Sequence, residues 1–191
     1  MSEEEHKQSS ARLGFWLYLM TDIMLFASLF ATFMVLRHAT NGSVGGKDIF
    51  ELPFVLLETG ILLTSSVASG IAYAALKAGK MSHFRAFLAV TLLLGVWFIG
   101  LELSEFSKLV NEGYSWQTSA FLSSFFVLVG THGLHIAVGL LWGSVLAWTI
   151  ARRKATPALI HKFGLFSLFW HFLDIVWIFI FTIVYVFGAK L

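Results

Sequence analysis

The stretch SLFWHFLDIVWIFIF, from Ser167 to Phe181, decides the fold of this chain. It lies within a longer apolar run at about 163–187 and itself holds two ionisable residues, His171 and Asp174. A helix needs about 20 apolar residues to cross roughly 30 Å of hydrocarbon, and this run is long enough. The stretch therefore predicts a membrane-spanning helix that carries two polar groups at depth.

The composition of the whole chain indicates a bilayer rather than water as its solvent. The 191 residues are 58% hydrophobic and 13% charged, with a mean hydropathy of +0.80. A soluble domain of this length could not cover so much apolar surface. The net charge of +2 is too small to indicate nucleic-acid binding. Because the sequence has no cysteine, it excludes disulfides, thiolate metal sites and thiol nucleophiles.

Five stretches are long enough to span a membrane. They lie at about 15–36, 54–76, 84–104, 120–150 and 163–187. Their apolar runs are continuous rather than alternating, which favours helices over barrel strands. Pro53 stands where the second span should begin, because its fixed φ suits a first helical turn. We therefore expect an all-α membrane protein, a single domain over 1–191 built as a bundle of five transmembrane helices.

The two ends of the predicted bundle differ in positive charge. Nine lysines and arginines lie in the N-terminal tail and in the second and fourth connections, whereas four lie at the other end. Cytoplasmic loops carry an excess of these residues, so we predict a cytoplasmic N-terminus and a C-terminus outside. The nine are Lys7, Arg12, Lys77, Lys80, Arg85, Arg152, Arg153, Lys154 and Lys162, and the four are Arg37, Lys47, Lys108 and Lys190.

Eight ionisable residues lie inside the predicted spans or at their ends, where charge is costly and side chains usually face protein. Three pairs among them have i,i+3 spacing, which predicts that the members of each pair share a helix face. A metal or haem site built on the three histidines is one interpretation. We favour the other, hydrogen bonds between helices that fix their packing. The eight are Asp22, Glu58, Glu102, Glu105, His132, His135, His171 and Asp174.

Asp22 stands alone on the first span, with no obvious partner in its own segment. It could belong to a proton relay, or it could hydrogen-bond to a neighbouring helix. A relay needs a chain of groups, so the second interpretation is favoured.

Small residues four apart allow helix backbones to approach closely, and they occur on three spans. Several helix faces are therefore predicted to contact protein rather than lipid. The deeper tryptophans are expected to fill packing gaps or to meet lipid chains, while Trp16, Trp116 and Trp148 fall near the membrane interfaces. The small pairs are Ala27/Ala31, Ser28/Thr32, Ser65/Ser69, Ser66/Gly70 and Gly139/Gly143.

The chain resembles subunit III of the haem–copper respiratory oxidases over nearly its whole length. Three stretches carry this resemblance most clearly. SLFWHFLDIVWIFIFTIVYVFG (167–188) resembles the last helix of that family. FFVLVGTHGLHIAVGLLWG (125–143) resembles the penultimate helix with its paired histidines, and FWLYLMTDIMLFASLFATFMVLR (15–37) resembles the helix that carries a buried carboxylate. GKDIFELPFVLLET (46–59) and the five-helix count are most similar to the cytochrome bo-type ubiquinol oxidase branch. Many members have Glu where this chain has Asp22.

The resemblance implies an accessory subunit of a complex that oxidises ubiquinol or menaquinol, reduces oxygen to water and pumps protons across the bacterial inner membrane. The haems and copper would lie in subunit I, so this chain would hold no metal or other redox cofactor and would not itself be catalytic. It would pack on subunit I, beside subunits II and IV. Subunit III of a cytochrome c oxidase or of a nitric-oxide-reductase-like complex is an alternative. A stand-alone membrane cytochrome b or a transporter is a more distant one.

The resemblance also implies roles for individual residues. The buried histidines and carboxylates would be interhelical partners, and Asp22 would support proton supply near subunit I. His171 and Asp174 would tie the fifth span to the fourth, or to the third around Glu102. Phospholipids would bind between the helices, with head groups held by Arg85, Arg152 or Arg153 at the cytoplasmic surface. The alternative, which we favour, is that these arginines only determine the topology of the chain.

Overall fold

The computed structural model describes residues 3–152 and 156–188. Over these residues the chain is helical with short connections and has no strand. The helices are α1 (Glu3–Leu36), α2 (Gly46–Ile49), α3 (Leu52–Lys77), α4 (Met81–Asn111), α5 (Ala120–Arg152) and α6 (Pro157–Ile180), which continues into a π-helix (Phe181–Val186). Five of them are long and apolar enough to cross a membrane, as predicted: α1, α3, α4, α5 and α6 with its π-helix.

The helices extend beyond the apolar runs that predicted them. Helix α1 begins at Glu3, twelve residues before Phe15, and α4 continues to Asn111. Helix α6 begins at Pro157, where the Thr156 hydroxyl accepts a hydrogen bond from the Leu159 N–H at 3.3 Å. The reason is physical: an apolar run marks the part of a helix inside hydrocarbon, while the same helix can continue with polar residues at its ends.

Helices α3, α4, α5 and α6 pack in a ring in which each contacts two neighbours. Helix α1 lies outside this ring, against α5 and α6. Its buried positions, Leu19, Asp22, Phe26 and Phe33, recur at helical spacing and form one stripe. Phe15, Leu29 and Phe30 pack beside this stripe, whereas many other apolar side chains of α1, such as Met24 and Val35, are exposed. One face of α1 is therefore available to lipid or to another protein.

Two glycines of α5 allow α6 to approach closely, as the small-residue pattern predicts. A Cβ on Gly139 would lie 2.9 Å from the Trp170 ring, and one on Gly143 would lie 2.9 Å from the Phe166 ring. The corresponding pairs on α1 behave differently. Ala27, Ala31, Ser28 and Thr32 are all exposed, so they make no close helix contact within the described chain.

The π-helix turns side chains at the end of the last span back towards the core. In a regular α-helix, residues eight apart are rotated by about 80° from each other. The wider turn takes up part of this rotation, and Trp177 and Tyr185 are both completely buried, with ring centroids 6.2 Å apart. Phe50, just after the short helix α2, covers Tyr185 at a centroid distance of 4.8 Å. The connection that carries α2 and Phe50 thus closes this end of the bundle.

Candidate functional site

Three carboxyl groups from two helices meet inside the ring of four helices. Glu58 of α3 is 0% exposed, Glu102 of α4 is 3% exposed and Glu105 of α4 is 9% exposed. They lie within electrostatic range of one another. The Tyr185 hydroxyl donates a hydrogen bond to Glu105 Oε2 at 2.9 Å. We call these three carboxyl groups, together with His132 and Tyr185, the carboxylate cluster.

His132 of α5 is the imidazole of this cluster. Its ring is fully buried and stacks on Trp177, with centroids 5.3 Å apart and an interplanar angle of 29°. Phe98 meets both rings edge-on, at 6.0 Å from His132 and 4.7 Å from Trp177. Next to His132 along the chain, Gly133 is so close to the Glu102 carboxylate that an added Cβ would collide with it. The carboxylate of α4 therefore rests directly on the backbone of α5.

The carboxylate cluster is not satisfied by hydrogen bonds within the described chain. Among the described residues, eight buried side-chain nitrogen or oxygen atoms have no hydrogen-bond partner. Five of the eight belong here: both carboxyl oxygens of Glu58, Oε2 of Glu102 and both ring nitrogens of His132. A buried polar atom without a partner costs free energy, so this arrangement is suited to binding small polar species such as water.

Asp22 and His135 form a separate pair on a neighbouring face of α5, between α1 and α5. His135 Nε2 lies 3.6 Å from Asp22 Oδ2, which is an ion-pair distance but too long for a hydrogen bond. The other ring nitrogen, Nδ1, lies 2.7 Å from the Thr131 carbonyl oxygen and so carries a proton. Phe26 of α1 covers the pair at 5.2 Å from the His135 ring. Attraction between Nε2 and the carboxyl group then requires a proton on one of the two.

A third polar region joins α3, α4 and α6 through hydroxyl groups. Ser65 Oγ donates to the Thr91 carbonyl oxygen at 3.0 Å and accepts from Trp170 Nε1 at 3.1 Å. One turn along, Ser69 Oγ donates to Ser167 Oγ at 3.4 Å. The small serine face of α3 therefore acts both as a close contact and as a set of hydrogen-bond partners.

His171 and Asp174 lie beside this serine face. His171 Nδ1 is 2.6 Å from the Ser167 carbonyl oxygen, and its Nε2 faces Gly70 of α3. Asp174 interacts with Ser66 of α3 and with His171. These contacts correct one expectation: they join the fifth span to the second, not to the fourth or to the third around Glu102. Spacing along one helix shows which residues share a face, but it does not show which helix that face meets.

Comparison with known proteins identifies the family. Residues 3–189 match the family model described as cytochrome c oxidase subunit III. The chain belongs to this family.

Similar proteins include the cytochrome bo(3) ubiquinol oxidase subunit 3 of Pseudomonas aeruginosa, which is 56% identical over 92% of this chain and 84% of the relative. A cytochrome c oxidase subunit 3 of Bacillus sp. (strain PS3) is 46% identical over 92% of this chain and 85% of the relative. The quinol oxidase subunit 3 of Bacillus subtilis is 44% identical over 96% of this chain and 92% of the relative. As a subunit III, the chain is a multi-pass membrane component of a multi-subunit haem–copper oxidase, as the sequence resemblance predicts.

The three histidines of this subunit III have three different surroundings. His132 stacks on Trp177 in the core, His135 faces Asp22 of α1, and His171 faces α3. Within residues 3–152 and 156–188, no three His, Asp or Glu side chains are arranged to hold a metal ion. The geometry gives no support to a metal or haem site made from the three imidazoles.

Two of the arginines proposed as lipid contacts, Arg85 and Arg152, belong to helix ends opposite the carboxylate cluster. Arg85 is exposed in the first turns of α4. Arg152 ends α5, and its side chain lies outside the described part of the chain, as does the whole of Arg153.

Sequence reasoning missed the hydrogen-bonding tryptophans of subunit III. Trp170 and Trp177 were expected to fill gaps or to meet lipid, but both are buried and donate to hydroxyl oxygens of α3, Trp177 to Thr59 Oγ1 at 3.0 Å. A usable signal was present, because a buried indole N–H needs an acceptor and the second span carries a run of hydroxyl residues. Tyr185 was missed because only the π-helix turns it inward.

Proposed function

We propose that this chain is the accessory subunit III of a proton-pumping haem–copper quinol oxidase in a bacterial inner membrane. The complex oxidises a quinol and reduces oxygen to water, and its haems and copper reside in subunit I. The observation that carries the proposal is the 56% identity over 92% of the chain to a cytochrome bo(3) ubiquinol oxidase subunit 3. This chain contributes support and no redox centre, consistent with histidines that are engaged by packing and by protein partners.

The proposed orientation places the N-terminus in the cytoplasm. The two connections that carry most of the positive charge, α3–α4 and α5–α6, lie at the same end of the bundle as the N-terminal part of α1. The described residues at that end include seven of the thirteen lysines and arginines of the chain, which supports a cytoplasmic location. The whole chain, 1–191, acts as one membrane domain.

Helix α1 is the proposed contact with subunit I, while subunits II and IV complete the complex. Of the spanning helices, α1 packs outside the ring and buries one stripe. It presents Trp16, Met20 and Met24 away from the bundle, with Met24 74% exposed. A helix with an apolar outward face and the Asp22–His135 pair on its inward face can link the two subunits. We propose that this pair tunes the polarity and the proton supply of the contact. The other polar residues named from the sequence fix helix packing.

A groove between α1 and the last span is the proposed phospholipid site. Its apolar walls include Phe26 and Phe30 of α1 and Phe172 and Phe179 of α6, and they enclose about 410 Å³. Farther along the same two helices, a cavity of about 180 Å³ is lined by Arg37 and His38.

Charge and length both suit a phospholipid in this groove. The seven residues from Phe30 to Arg37 rise by about 10 Å, so an acyl chain in the groove would bring a phosphate towards the guanidinium. The lipid head groups of the opposite leaflet remain proposed partners of Arg85, Arg152 and Arg153.

Affinity purification of this chain from its membrane tests the proposed function. We expect a haem-containing complex in which mass spectrometry identifies a subunit I, and which consumes oxygen with ubiquinol as donor. Turnover with reduced cytochrome c instead would favour the cytochrome c oxidase alternative, which the 46% identical relative supports. A preparation without a haem–copper subunit would contradict both.

The proposed role of Asp22 is tested by Asp22→Asn in that complex. Replacing the carboxyl group removes a titratable partner of His135, so we expect slower turnover or a shorter active lifetime at unchanged haem content. His83→Gln serves as a control, because His83 is an exposed titratable residue in the first turn of α4. Unchanged turnover, proton pumping and lifetime in Asp22→Asn would remove the basis of this role.

A further inference from the structure

Helix packing alone does not account for the carboxylate cluster. Tight packing is already provided by Trp170, Trp177 and the glycines of α5. The cluster adds three buried carboxyl groups from α3 and α4, and it leaves five polar atoms without a partner in the described chain. Replacing such groups by apolar residues of similar size is often neutral or stabilising. Their presence calls for a ligand that can satisfy them.

A crevice reaches the cluster from the end of the bundle where α3 begins and α4 ends. It encloses about 390 Å³, and its lining includes Glu51, Glu105, Lys108 and Glu112. The Lys108 ammonium group and the Glu51 carboxylate pair at 2.5 Å, and both side chains are exposed. One water takes about 30 Å³ of liquid volume, so the crevice has room for several.

Glu105 belongs both to the crevice and to the cluster. Its carboxyl group lines the crevice and accepts the hydrogen bond from the Tyr185 hydroxyl inside the bundle. Glu102 lies three residues earlier on the same helix, about 4.5 Å deeper along the axis. Glu58 of α3 lies within electrostatic range of both with two unpartnered oxygens, and His132 is next along α5 to the Glu102–Gly133 contact. Polar groups therefore extend from the crevice into the core.

We propose that the carboxylate cluster is a hydrated proton-binding site that exchanges water and protons with this crevice through Glu105. A hydronium ion that enters converts one carboxylate to a carboxylic acid and leaves a water molecule behind. Water then donates to or accepts from the atoms that have no protein partner. This inference goes beyond the proposed function and does not depend on which electron donor the oxidase uses.

Charge also favours exchange of protons at this site. Three carboxylates in one desolvated region repel one another, and the described lining of the crevice offers a single cation, Lys108, which is paired with Glu51. Uptake of protons relieves this repulsion. The titratable and charged groups that face the site are Glu58 of α3, Glu102, Glu105 and Lys108 of α4, Glu51 and Glu112 at the ends of these helices, and Tyr185 of the last span. His132 of α5 lies beside them, next to Gly133.

Infrared spectroscopy of the whole oxidase complex in lipid nanodiscs tests this inference. Protonated carboxyl groups give separate carbonyl-stretch bands, which move to lower frequency when the proton is exchanged for deuterium. We expect bands that disappear in Glu58→Gln or Glu102→Gln and that shift soon after the buffer is changed to D₂O. In Ser104→Trp the same bands should remain but shift more slowly, because Ser104 is an exposed residue of the crevice lining and a large ring would fill it.

Asp22→Asn is the matched control, since Asp22 is a buried carboxyl group between α1 and α5, outside the carboxylate cluster and the crevice lining. A carbonyl-stretch band that disappears in Asp22→Asn belongs to Asp22. The rate at which that band shifts in D₂O should be the same with and without Ser104→Trp. Two results would overturn the inference. The first is that neither Glu58→Gln nor Glu102→Gln removes a protonated-carboxyl band, or that the bands they remove do not shift in D₂O. The second is an exchange rate unaltered by Ser104→Trp. Ser104→Trp leaves the cluster residues in place, so it answers the question even where a glutamine variant fails to assemble.

Discussion

Helix α5 carries two histidines three residues apart, and their surroundings are opposite. His132 is fully buried, stacks on Trp177 and has no hydrogen-bond partner for either nitrogen among the described residues. His135 is half-buried, with one nitrogen at the Thr131 carbonyl oxygen and the other facing Asp22. Residues at i and i+3 are rotated by about 60° around a helix axis. Here that rotation turns His132 towards Trp177 and His135 towards Asp22 of α1, while Phe26 of α1 lies against both imidazoles.

The comparison shows how one helix can serve two different interfaces. On the core side, aromatic rings and direct backbone contacts leave the side chains little room to move. A polar group there can gain a hydrogen bond only from a small species such as water. On the α1 side, the contact consists of one stripe, and the polar pair is longer than a hydrogen bond. We therefore expect changes on the core side to act mainly on stability and changes on the α1 side to act mainly on the activity of the complex.

Trp177→Ala should have the largest effect on stability, because it leaves a cavity on the core side of α5. The ring lies between Phe98 and His132, and its N–H donates a hydrogen bond to the Thr59 hydroxyl. Truncation of a buried Trp costs about 3–5 kcal/mol. The measurement is an SDS titration of the purified complex that follows retention of the folded chain. Trp97→Ala is the control and should cost far less, since Trp97 is 58% exposed. Equal losses in both variants would contradict the packing described for Trp177.

Gly133→Ala should have an intermediate effect, because its methyl group would displace the Glu102 carboxylate from the backbone of α5. Overpacking of this kind costs about 1–3 kcal/mol. Gly130→Ala, one turn earlier, is the matched control. Its Cβ would meet the Phe106 ring at an ordinary 3.7 Å, and Ala is the better helix former by about 1 kcal/mol. The same SDS titration should rank Gly130→Ala above Gly133→Ala in stability, and the reverse order would be incompatible with the close contact of Glu102.

The smallest effect on stability is expected on the α1 side. In a double-mutant cycle of Asp22→Asn and His135→Gln, the coupling should be about 0.6 kcal/mol, the average for polar contacts between membrane helices. A separation of 3.6 Å supports a weak interaction. A coupling as large as the loss in Trp177→Ala would show that both sides of α5 are equally important for the fold. The expected difference in stability between the His132 face and the His135 face of α5 would then be wrong.

The five spans could be predicted because continuous apolar runs have few alternatives in a bilayer. Pro53 likewise indicated the start of α3 correctly. The ends of α1, α4 and α6 could not be placed from the same signal, since a helix can continue beyond the hydrocarbon with polar residues such as those from Glu3 onwards. The small-residue signal was correct for Gly139 and Gly143 and was not matched by a contact within the described chain for Ala27 and Ala31.

The partners of the polar residues were harder to predict than their burial. The free-energy cost of placing a polar side chain in hydrocarbon correctly indicated that Glu58, Glu102 and His132 are buried within protein. It did not show that Glu58 and Glu102 come together, because that depends on how α3 and α4 are placed side by side. It also led to the wrong neighbour for His171 and Asp174. Such pairings depend on contacts between residues far apart in sequence, which a single helix pattern does not encode.

The π-helix at Phe181–Val186 makes the number of residues in the last span a constraint of its own. A deletion of one residue within it would leave an apolar segment still long enough to cross the bilayer, and hydropathy would hardly change. The deletion would nevertheless convert the wide turn into an ordinary one and swing the phenol of Tyr185 towards the acyl chains, away from Glu105. For this chain, residue count near the carboxyl terminus therefore matters more than residue hydrophobicity.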